Sequence, residues 1–259
     1  MKQEGVVTRG VDGGPESGSE APPDRAGYAE FFAQAAHDLR SPLGVILHAF
    51  HQLEVDLGTH LGAEQRTLLK LGGRGARRIQ SFADRIGILA ELESGKLRLS
   101  LERADLRDIV EKARAHTTSV EPRSEIRVFI EPAESCMVDA DPRLLAFAVS
   151  ELLRNGIAHA RREVRVSLER HGRTISVSVE DDGDGLPEGA SRSVFRRFSA
   201  QGTRGGKGVG LSIAHDLTSA HNGSLTAEQS TLPPSRPGKI GARFVLTIPT
   251  STAHTAEVR

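Results

Sequence analysis

The spacing of apolar and polar positions divides the chain into two parts. From Phe32 to Leu57, apolar residues recur at alternating steps of four and three, at positions 32, 36, 39, 43, 46, 50, 53 and 57. This heptad spacing predicts one long helix over about residues 28–57. A second helical pattern follows the break at "LGTHLG" and ends at the glycine of "ESGK", residues 93–96.

Two such helices predict a helical hairpin over residues 28–93 with one wide apolar face. A lone hairpin has nothing to cover that face. A second copy of the chain would bury it in a four-helix bundle, so we expect a homodimer formed through the hairpin. A different partner domain could cover the face instead.

The second half of the chain has short segments of two-residue period, such as "EVRVSLER" and "TISVSVED". They predict a mostly antiparallel sheet with helices on one face, which is an α+β domain over residues 105–250 that follows a linker at 94–104. The predicted elements are helices at 105–116, 141–160 and from "VGLSIAHDLTSAH", and strands at "IRVFIEP", 163–170, 173–180, 223–229 and 240–248.

Composition indicates which segments are disordered and which partners and compartments to expect. Residues 1–27 are rich in Gly, Pro, Ser and Glu and are predicted to be a disordered tail, with a shorter tail at 251–259. Lys plus Arg and Asp plus Glu both number 34, so the net charge gives no reason to expect nucleic acid or a membrane as partner. No stretch has the apolar length of a signal peptide or a transmembrane helix, so we expect a cytoplasmic protein. The single cysteine, Cys136, excludes an internal disulfide.

The stretch "AAHDLRSPLG", residues 35–44, places chemistry inside the first helical pattern. Pro42 would end a helix at a turn or bend a helix that continues, and the unbroken heptad favours the bent helix. His37 follows the inward position Ala36 and should reach solvent. A neutral imidazole is a competent nucleophile, and Asp38 can accept its proton. The pair alone is equally compatible with a solvated histidine beside an unrelated carboxylate.

Two glycine-rich segments of the second half suggest a ligand site. In "VEDDGDGLPEG", Asp181 ends a strand, and Gly183 and Gly185 leave room for a ligand near the backbone. A buried carboxylate there can accept from the exocyclic amine of adenine, although an acidic turn is the simpler alternative. In "GTRGGKGVGLSIA", glycines lead into a helix whose N-terminus can bind an anion, with Lys207 adding positive charge. The spacing matches neither a Walker A motif nor a dinucleotide fingerprint.

The helix "SELLRNGIAHA" presents Glu151, Asn155 and His159 on one face, because they are spaced four residues apart. The amide oxygen of Asn155 can ligate Mg²⁺, which prefers oxygen donors. A polar, solvated helix face would show the same spacing.

Taken together and in order, these motifs resemble those of the sensor histidine kinases of bacterial two-component systems. "HDLRSP" resembles the family's phosphoacceptor box, "ELLRNGIAHA" its asparagine box, "VEDDGDGLP" its first glycine box, "VFRRF" its phenylalanine box and "GGKGVGLSIA" its second glycine box. The resemblance covers about residues 30–250. It implies a dimeric helical hairpin followed by a GHKL (Bergerat-type) α/β sandwich that binds ATP, without a recognisable sensor domain.

The resemblance also implies roles for residues. His37 would be the phosphorylated histidine and Asp38 its acid/base neighbour. Asn155 and Glu151 would hold Mg²⁺, and a mobile lid at 195–205 would cover ATP. The residues implied in binding the nucleotide are Asn155, His159, Asp181, Gly183, Gly185, Gly206, Lys207, Gly208, Gly210 and Leu211. The phosphoryl group would pass from His37 to the receiver domain of a response regulator, and another signalling protein could supply the input.

Three departures from the family's pattern keep alternatives open. Glu151 stands where the family often has Asn and could activate water, as in related GHKL ATPases. Ala158 replaces a usual Lys, whose phosphate contact Lys207 or Arg204 could supply. Ser41 stands where Thr or Asn accompanies phosphatase activity. The alternatives are a degenerate kinase that regulates a response regulator without catalysis, a phosphatase-biased protein, and an ATPase that hydrolyses ATP freely.

Overall fold

The hairpin consists of two long helices, α1 (Arg25–Leu57) and α2 (Ala63–Glu93), in a computed structural model that describes residues 25–57, 60–197 and 208–251. Helix α1 continues through Pro42 without interruption, which confirms the continuing helix over the turn. Among the described helices, none combines the length and the apolar character that crossing a bilayer requires.

Helix α1 begins earlier than expected. Residues 25–27, assigned to the disordered tail, are helical, because the heptad extends one repeat back to Ala29, which is as buried as Ala36 seven residues later. The rest of that tail, residues 1–24, and most of the C-terminal tail, 252–259, lie outside the described residues.

The heptad positions of α1 divide into two sets. Ala29, Ala36 and Leu43 are buried at 5%, 1% and 6% exposure, whereas the alternate positions remain 43–46% exposed. Helix α2 has exposed apolar side chains of the same kind. We call this uncovered set the apolar face; it comprises Phe32, Leu39, Ile46 and Leu53 of α1 and Leu68, Leu71, Ile79 and Phe82 of α2. The described chain therefore covers only half of the hairpin's apolar positions.

The second domain contains a five-stranded sheet packed against three helices, together with a separate two-stranded sheet. The strands are β1 (Glu102–Asp105), β2 (Arg127–Ile130), β3 (Met137–Ala140), β4 (Glu163–His171), β5 (Thr174–Asp181), β6 (Ser224–Gln229) and β7 (Ala242–Pro249). The helices are α3 (Leu106–Val120), α4 (Pro142–His159) and α5 (Gly210–Ala220), with one turn of 3₁₀ helix at Ser193–Phe195. The sheet order is β2-β4-β5-β7-β6, and only the β2–β4 pair is parallel. This arrangement confirms a helical hairpin followed by an α/β sandwich.

The junction between the two parts is shorter than the linker expected from the sequence. Residues 102–104 of the predicted linker lie in β1, which pairs with β3 in a separate two-stranded sheet. Ile88 near the end of α2 is buried in the core of the second domain, and Leu89 and Leu92 pack against that core. The last turns of the hairpin are therefore docked on the sandwich.

Helix α4 carries three of the predicted site residues, and its start is firmly set. Asp141 caps it by accepting a hydrogen bond from the Leu144 N–H at 3.0 Å, and Pro142 occupies the first turn, where a missing N–H has no cost. The Asp141 N–H donates to Nε2 of the fully buried His221 at 3.0 Å. These bonds fix where α4 begins and hence where its side chains lie.

Candidate phosphoacceptor and nucleotide sites

His37 lies on the solvent side of α1, as the heptad predicts. Its side chain is 76% exposed, and its Nδ1 lies 3.2 Å from Oδ1 of Asp38. Gln34 also donates to that Asp38 oxygen, at 2.8 Å. With the proton on Nδ1 and donated to Asp38, Nε2 keeps its lone pair and faces outward. The arrangement presents a nucleophilic nitrogen to whatever approaches the helix.

The hairpin is fastened at the level of this histidine. Arg40, one turn beyond His37, pairs with Asp84 of α2 through Nε and Oδ1 at 2.7 Å, and both side chains are about one-third exposed. The pair also places the Asp84–Arg85 turn of α2 beside the turn of α1 that carries His37.

Asp181 ends β5 and is almost completely buried. Its Oδ1 accepts from the N–H groups of Gly183 at 2.9 Å and Ala242 at 3.3 Å. Its Oδ2 is buried and has no hydrogen-bond partner within the described ranges. Burial raises the pKa of the Asp181 carboxyl to about 6, against the opposing effect of the Gly183 and Ala242 hydrogen bonds. One oxygen thus remains available to a donor from outside the chain.

The loop after Asp181 is built tightly around its glycines. Gly185 has φ of +77° and faces the Ile240 carbonyl, where a Cβ would lie 2.0 Å from the oxygen, so only glycine fits. The neighbouring Asp182 accepts from the N–H groups of residues 161–163 at 2.9–3.2 Å. Burial opposes its ionisation, but these backbone hydrogen bonds lower the pKa of Asp182 below its ordinary value. Asp182 therefore joins the turn after α4 to the glycine loop.

The second glycine segment is described only in part. Gly206 and Lys207 lie outside the described residues, as does the predicted lid beyond residue 197. Helix α5 begins at Gly210 and continues into Leu211, with Gly208 just before it. A Cβ at Gly210 would lie 2.4 Å from Oε2 of Glu151, so a side chain there would collide with the carboxylate. The start of α5 and the middle of α4 are therefore in direct contact.

Glu151 is held by two arginines. Its Oε1 accepts from Nε of Arg85 in α2 at 2.9 Å, and both carboxylate oxygens accept from Arg154, at 2.7 and 2.9 Å. Arg154 also donates to Oγ of Ser81 in α2 at 3.1 Å and lies 3.4 Å from Glu121. Burial raises the pKa of the Glu151 carboxyl, and the Arg85 guanidinium opposes that rise.

Asn155 lies one turn further along α4 and is half-buried. Within the described ranges its amide makes no side-chain hydrogen bond, so its oxygen fits the role of a ligand for Mg²⁺. Glu151 fits that role less well, because every oxygen of its carboxylate already accepts from an arginine. The described residues include no cluster of three or more His, Cys, Asp or Glu side chains suited to a metal ion.

Some of the predicted nucleotide residues lie in contact with one another. The exposed His159 ends α4, and its carbonyl packs against Gly183 beside Asp181, while Glu151 touches Gly210. His37 and Asp38 belong to the hairpin.

Four residues at these sites were not predicted from the sequence: Arg85, Arg154, Ser81 and Asp182. Only Arg154 could have been noticed in the sequence, because it is a cation inside the run "ELLRNGI", which is mostly buried in α4.

Comparison with known proteins defines the class of the second domain. Residues 140–252 match the family described as Histidine kinase-, DNA gyrase B-, and HSP90-like ATPase. The match spans α4, the strand β5 that ends at Asp181, the glycine loop after it, α5 and β7. The sandwich is therefore an ATP-binding domain of the GHKL class.

The relatives extend the likeness to the hairpin. The chain is 28% identical over 233 residues to the signal transduction histidine-protein kinase AfsQ2 of Streptomyces coelicolor, covering 85% of this chain and 41% of that protein. It is 29% identical over 231 residues to the sensor histidine kinase MtrB of Mycobacterium tuberculosis, covering 86% of this chain and 39% of that protein. The chain thus spans about two fifths of the length of these relatives.

Solved structures share the fold. Full-length ShkA in complex with AMPPNP has a TM-score of 0.59 at 22% identity, over 87% of this chain and 46% of that one. The Acinetobacter baumannii histidine kinase AdeS has a TM-score of 0.53 at 20% identity, over 83% of this chain and 98% of that one. The chain is homologous to the sensor histidine kinases of two-component systems.

Proposed function

We propose that this chain is an ATP-dependent, autophosphorylating protein histidine kinase of a two-component phosphorelay. It transfers the γ-phosphoryl group of ATP to His37 and then to an aspartate in the receiver domain of a response regulator. The observation that carries the proposal is the exposed His37–Asp38 pair, at 3.2 Å, on a hairpin that is joined to an ATP-binding domain.

The nucleotide pocket is supported by the unpaired oxygen of Asp181. Oδ2 is buried and can accept from the exocyclic amine of adenine, while Oδ1 is already held by the Gly183 and Ala242 N–H groups. The N-terminus of α5 is suited to bind an anion such as the phosphates, because the first N–H groups of a helix have no partner within the helix. The structural neighbour ShkA was solved in complex with AMPPNP, which agrees with a nucleotide in this fold.

Asn155 is the residue that we propose as the protein ligand of Mg²⁺. When bound, the metal neutralises phosphate charge and helps to orient the phosphates for in-line transfer. Free hydrolysis with Glu151 as the base is disfavoured, because Arg85 and Arg154 occupy both oxygens of that carboxylate.

The transfer step follows from the geometry at His37. Nε2 attacks the γ-phosphorus, the bond from that phosphorus to the bridging oxygen of ADP breaks, and a nitrogen–phosphorus bond forms. The positive charge on the imidazole is relieved when the Nδ1 proton moves to Asp38, whose Oδ1 is 3.2 Å away. A receiver aspartate then attacks the phosphorus while Asp38 returns the proton to Nδ1, so that the nitrogen–phosphorus bond breaks and His37 leaves as the neutral imidazole.

The apolar face is proposed to be covered by a second copy of the chain. The face continues the heptad that joins α1 to α2 within one chain, so the same spacing can pack two hairpins into a four-helix bundle. A two-fold axis makes such a surface complementary to itself.

The direct test is labelling with γ-³²P ATP. His37→Gln should abolish incorporation, while His48→Gln should retain it, because His48 is also exposed on α1 but is followed by Ala49 rather than a carboxylate. The label should be lost in acid and retained in alkali, as a phosphoramidate bond requires. Incorporation that survives in His37→Gln would overturn the assignment.

A further inference from the structure

The hairpin and the ATP-binding domain are joined by a buried network of charges. Arg85 and Ser81 of α2 face Glu151 and Arg154 of α4, with contacts of 2.9 Å for Arg85–Glu151 and 3.1 Å for Arg154–Ser81. Glu151 is 2% exposed, Arg154 10% and Arg85 24%. With Glu121, at 3.4 Å from Arg154, the network contains two cations and two anions and has no net charge.

A second ion-pair bridge crosses the same interface, but here the cation belongs to the domain and the anion to the hairpin. Arg197, just after the 3₁₀ turn, pairs with Glu93 at the end of α2 and donates to Asp216 of α5 at 2.8 Å. Between the two bridges, Ile88 is buried in the core of the domain. The docked arrangement therefore combines an apolar contact with ion pairs that come from both partners.

Separating the two parts would leave Glu151 with an incomplete set of partners. Moving α2 away would break the Arg85–Glu151 and Arg154–Ser81 contacts together and leave Glu151 with Arg154 as its arginine partner. Any movement of the ATP-binding domain away from α2 must first release Arg85 from Glu151. The network consequently resists such movement more than its apolar contacts alone would.

The same carboxylate also contacts the helix that we propose receives the phosphates. Its Oε2 is in contact with Gly210, the first residue of α5 and the end of the glycine-rich segment. A displacement of the start of α5 therefore bears directly on Glu151. The start of α5 and the hairpin are linked through one side chain.

We propose that Glu151 is the anchor of an interdomain latch, closed by Arg85 of the hairpin and Arg154, and not a ligand of Mg²⁺. The latch holds the ATP-binding domain on α2 and connects the start of α5 to the hairpin. Glu151 is thus a positioning residue whose removal frees the domain. Asn155 remains the proposed ligand of Mg²⁺, because its amide oxygen is available.

The first test measures docking without reference to catalysis. Lys96 is exposed at the junction between the two parts, so trypsin cleavage after it reports how tightly they are docked. Arg85→Gln should accelerate cleavage about tenfold, since a buried partner is lost, and Arg85→Lys should restore part of the protection. Arg78→Gln is the matched control, because Arg78 is exposed on α2 two turns before Arg85 and should leave cleavage unchanged.

The second test separates an anchor from a metal ligand. Binding of a fluorescent ATP analogue is titrated with and without Mg²⁺. Glu151→Gln should keep the enhancement by Mg²⁺ while it opens the junction to trypsin as Arg85→Gln does. Asn155→Ala should lose the enhancement and leave the junction protected.

The reverse result would overturn the latch. Loss of the Mg²⁺ enhancement in Glu151→Gln, together with wild-type cleavage in both Glu151→Gln and Arg85→Gln, would identify Glu151 as a ligand. Cleavage that is unchanged in Arg85→Gln alone is sufficient to reject the proposal if Glu151→Gln fails to fold. Because proteolysis requires no phosphotransfer, these outcomes are distinct from failure of the kinase assignment.

Discussion

The hairpin and the ATP-binding domain handle their apolar residues in opposite ways. The domain has a core of completely buried large side chains, including Phe244, Leu152 and Ile213. The hairpin leaves the apolar face of both helices 43–68% exposed. A domain with a closed core can fold by itself, whereas a two-helix surface of this kind is completed by something outside the chain.

The functional groups follow the same division. Asp181 is buried, and two backbone N–H groups hold one of its oxygens, so its position is set before any ligand arrives. His37 is 76% exposed, with Asp38 as its neighbour and solvent on its other side. The proposed nucleotide site is preorganised, and the proposed phosphoacceptor is exposed to solvent. This difference is expected if the histidine must meet two partners in turn, first a nucleotide and then a receiver domain.

The largest expected effect comes from a substitution that prevents a second copy from covering the apolar face. Ile46→Asp places a charge in the middle of the apolar face. Because burial of an Ile side chain stabilises by about 1.5–3 kcal/mol and a two-fold dimer contains it twice, the dissociation constant should rise by about a hundredfold or more. Sedimentation velocity over a range of concentrations measures this directly.

Val45→Asp is the matched control for the dimer. Val45 is adjacent in sequence and more exposed, at 69%, but it lies outside the heptad seam. It should leave the association unchanged. Equal effects of the two substitutions, or a wild-type chain that is monomeric at all concentrations, would mean that a second copy does not cover the apolar face.

The next effect concerns the preorganised pocket. Asp181→Asn retains an oxygen for the Gly183 and Ala242 N–H groups but places an amide NH₂ where the adenine amine would donate. The substitution removes one buried hydrogen bond and places two donors against each other. ATP binding should therefore weaken about ten- to a hundredfold. Asp184→Asn is the control, since Asp184 is in the same loop but exposed and paired with Arg161. Calorimetric titration that finds equal losses would contradict the assignment.

The pKa of Asp181 sharpens this prediction. Only the ionised carboxylate offers Oδ2 as an acceptor in either lone-pair direction, and burial raises its pKa to about 6. The ionised fraction falls as pH drops through that value, so affinity should be full above pH 7 and about tenfold weaker at pH 5. Phosphate protonation also changes affinity in this range. The pH profile of Asp181→Asn supplies that contribution, and the carboxylate effect is the difference between the two profiles.

Periodicity predicted the hairpin well because its information is local. The heptad of α1 identifies the helix, its continuation through Pro42 and the exposure of His37 beside the buried Ala36. The same spacing could not separate the half of the seam that meets α2 from the half that forms the apolar face. Both halves have apolar residues at the same intervals, and only the approach of α2 distinguishes them.

The interface between the hairpin and the ATP-binding domain could not be predicted from local sequence patterns. Strands β1 and β3 have four residues each, and their pairing joins segments about 35 residues apart. Arg85 and Glu151 are 66 residues apart and look like solvated charges in their own helices. Their partnership arises from the docking of α2 on α4, which no periodicity records. Residues such as these, which make contacts between distant segments, are therefore the part of the site that only the three-dimensional structure could identify.

The smallest expected effect tests how the hairpin is fastened beside His37. Arg40–Asp84 joins α1 to α2 with side chains about one-third exposed, whereas Lys96–Glu30 joins the hairpin's ends with side chains 63% and 65% exposed. A double-mutant cycle with Arg40→Gln and Asp84→Asn should give a coupling of about 0.5–1 kcal/mol in the free energy of unfolding. A parallel cycle with Glu30→Gln and Lys96→Gln should give less, because solvent screens the exposed pair more strongly. Urea unfolding at one fixed protein concentration measures both cycles, and a larger coupling for Lys96–Glu30 would show that burial does not set the strength of these pairs.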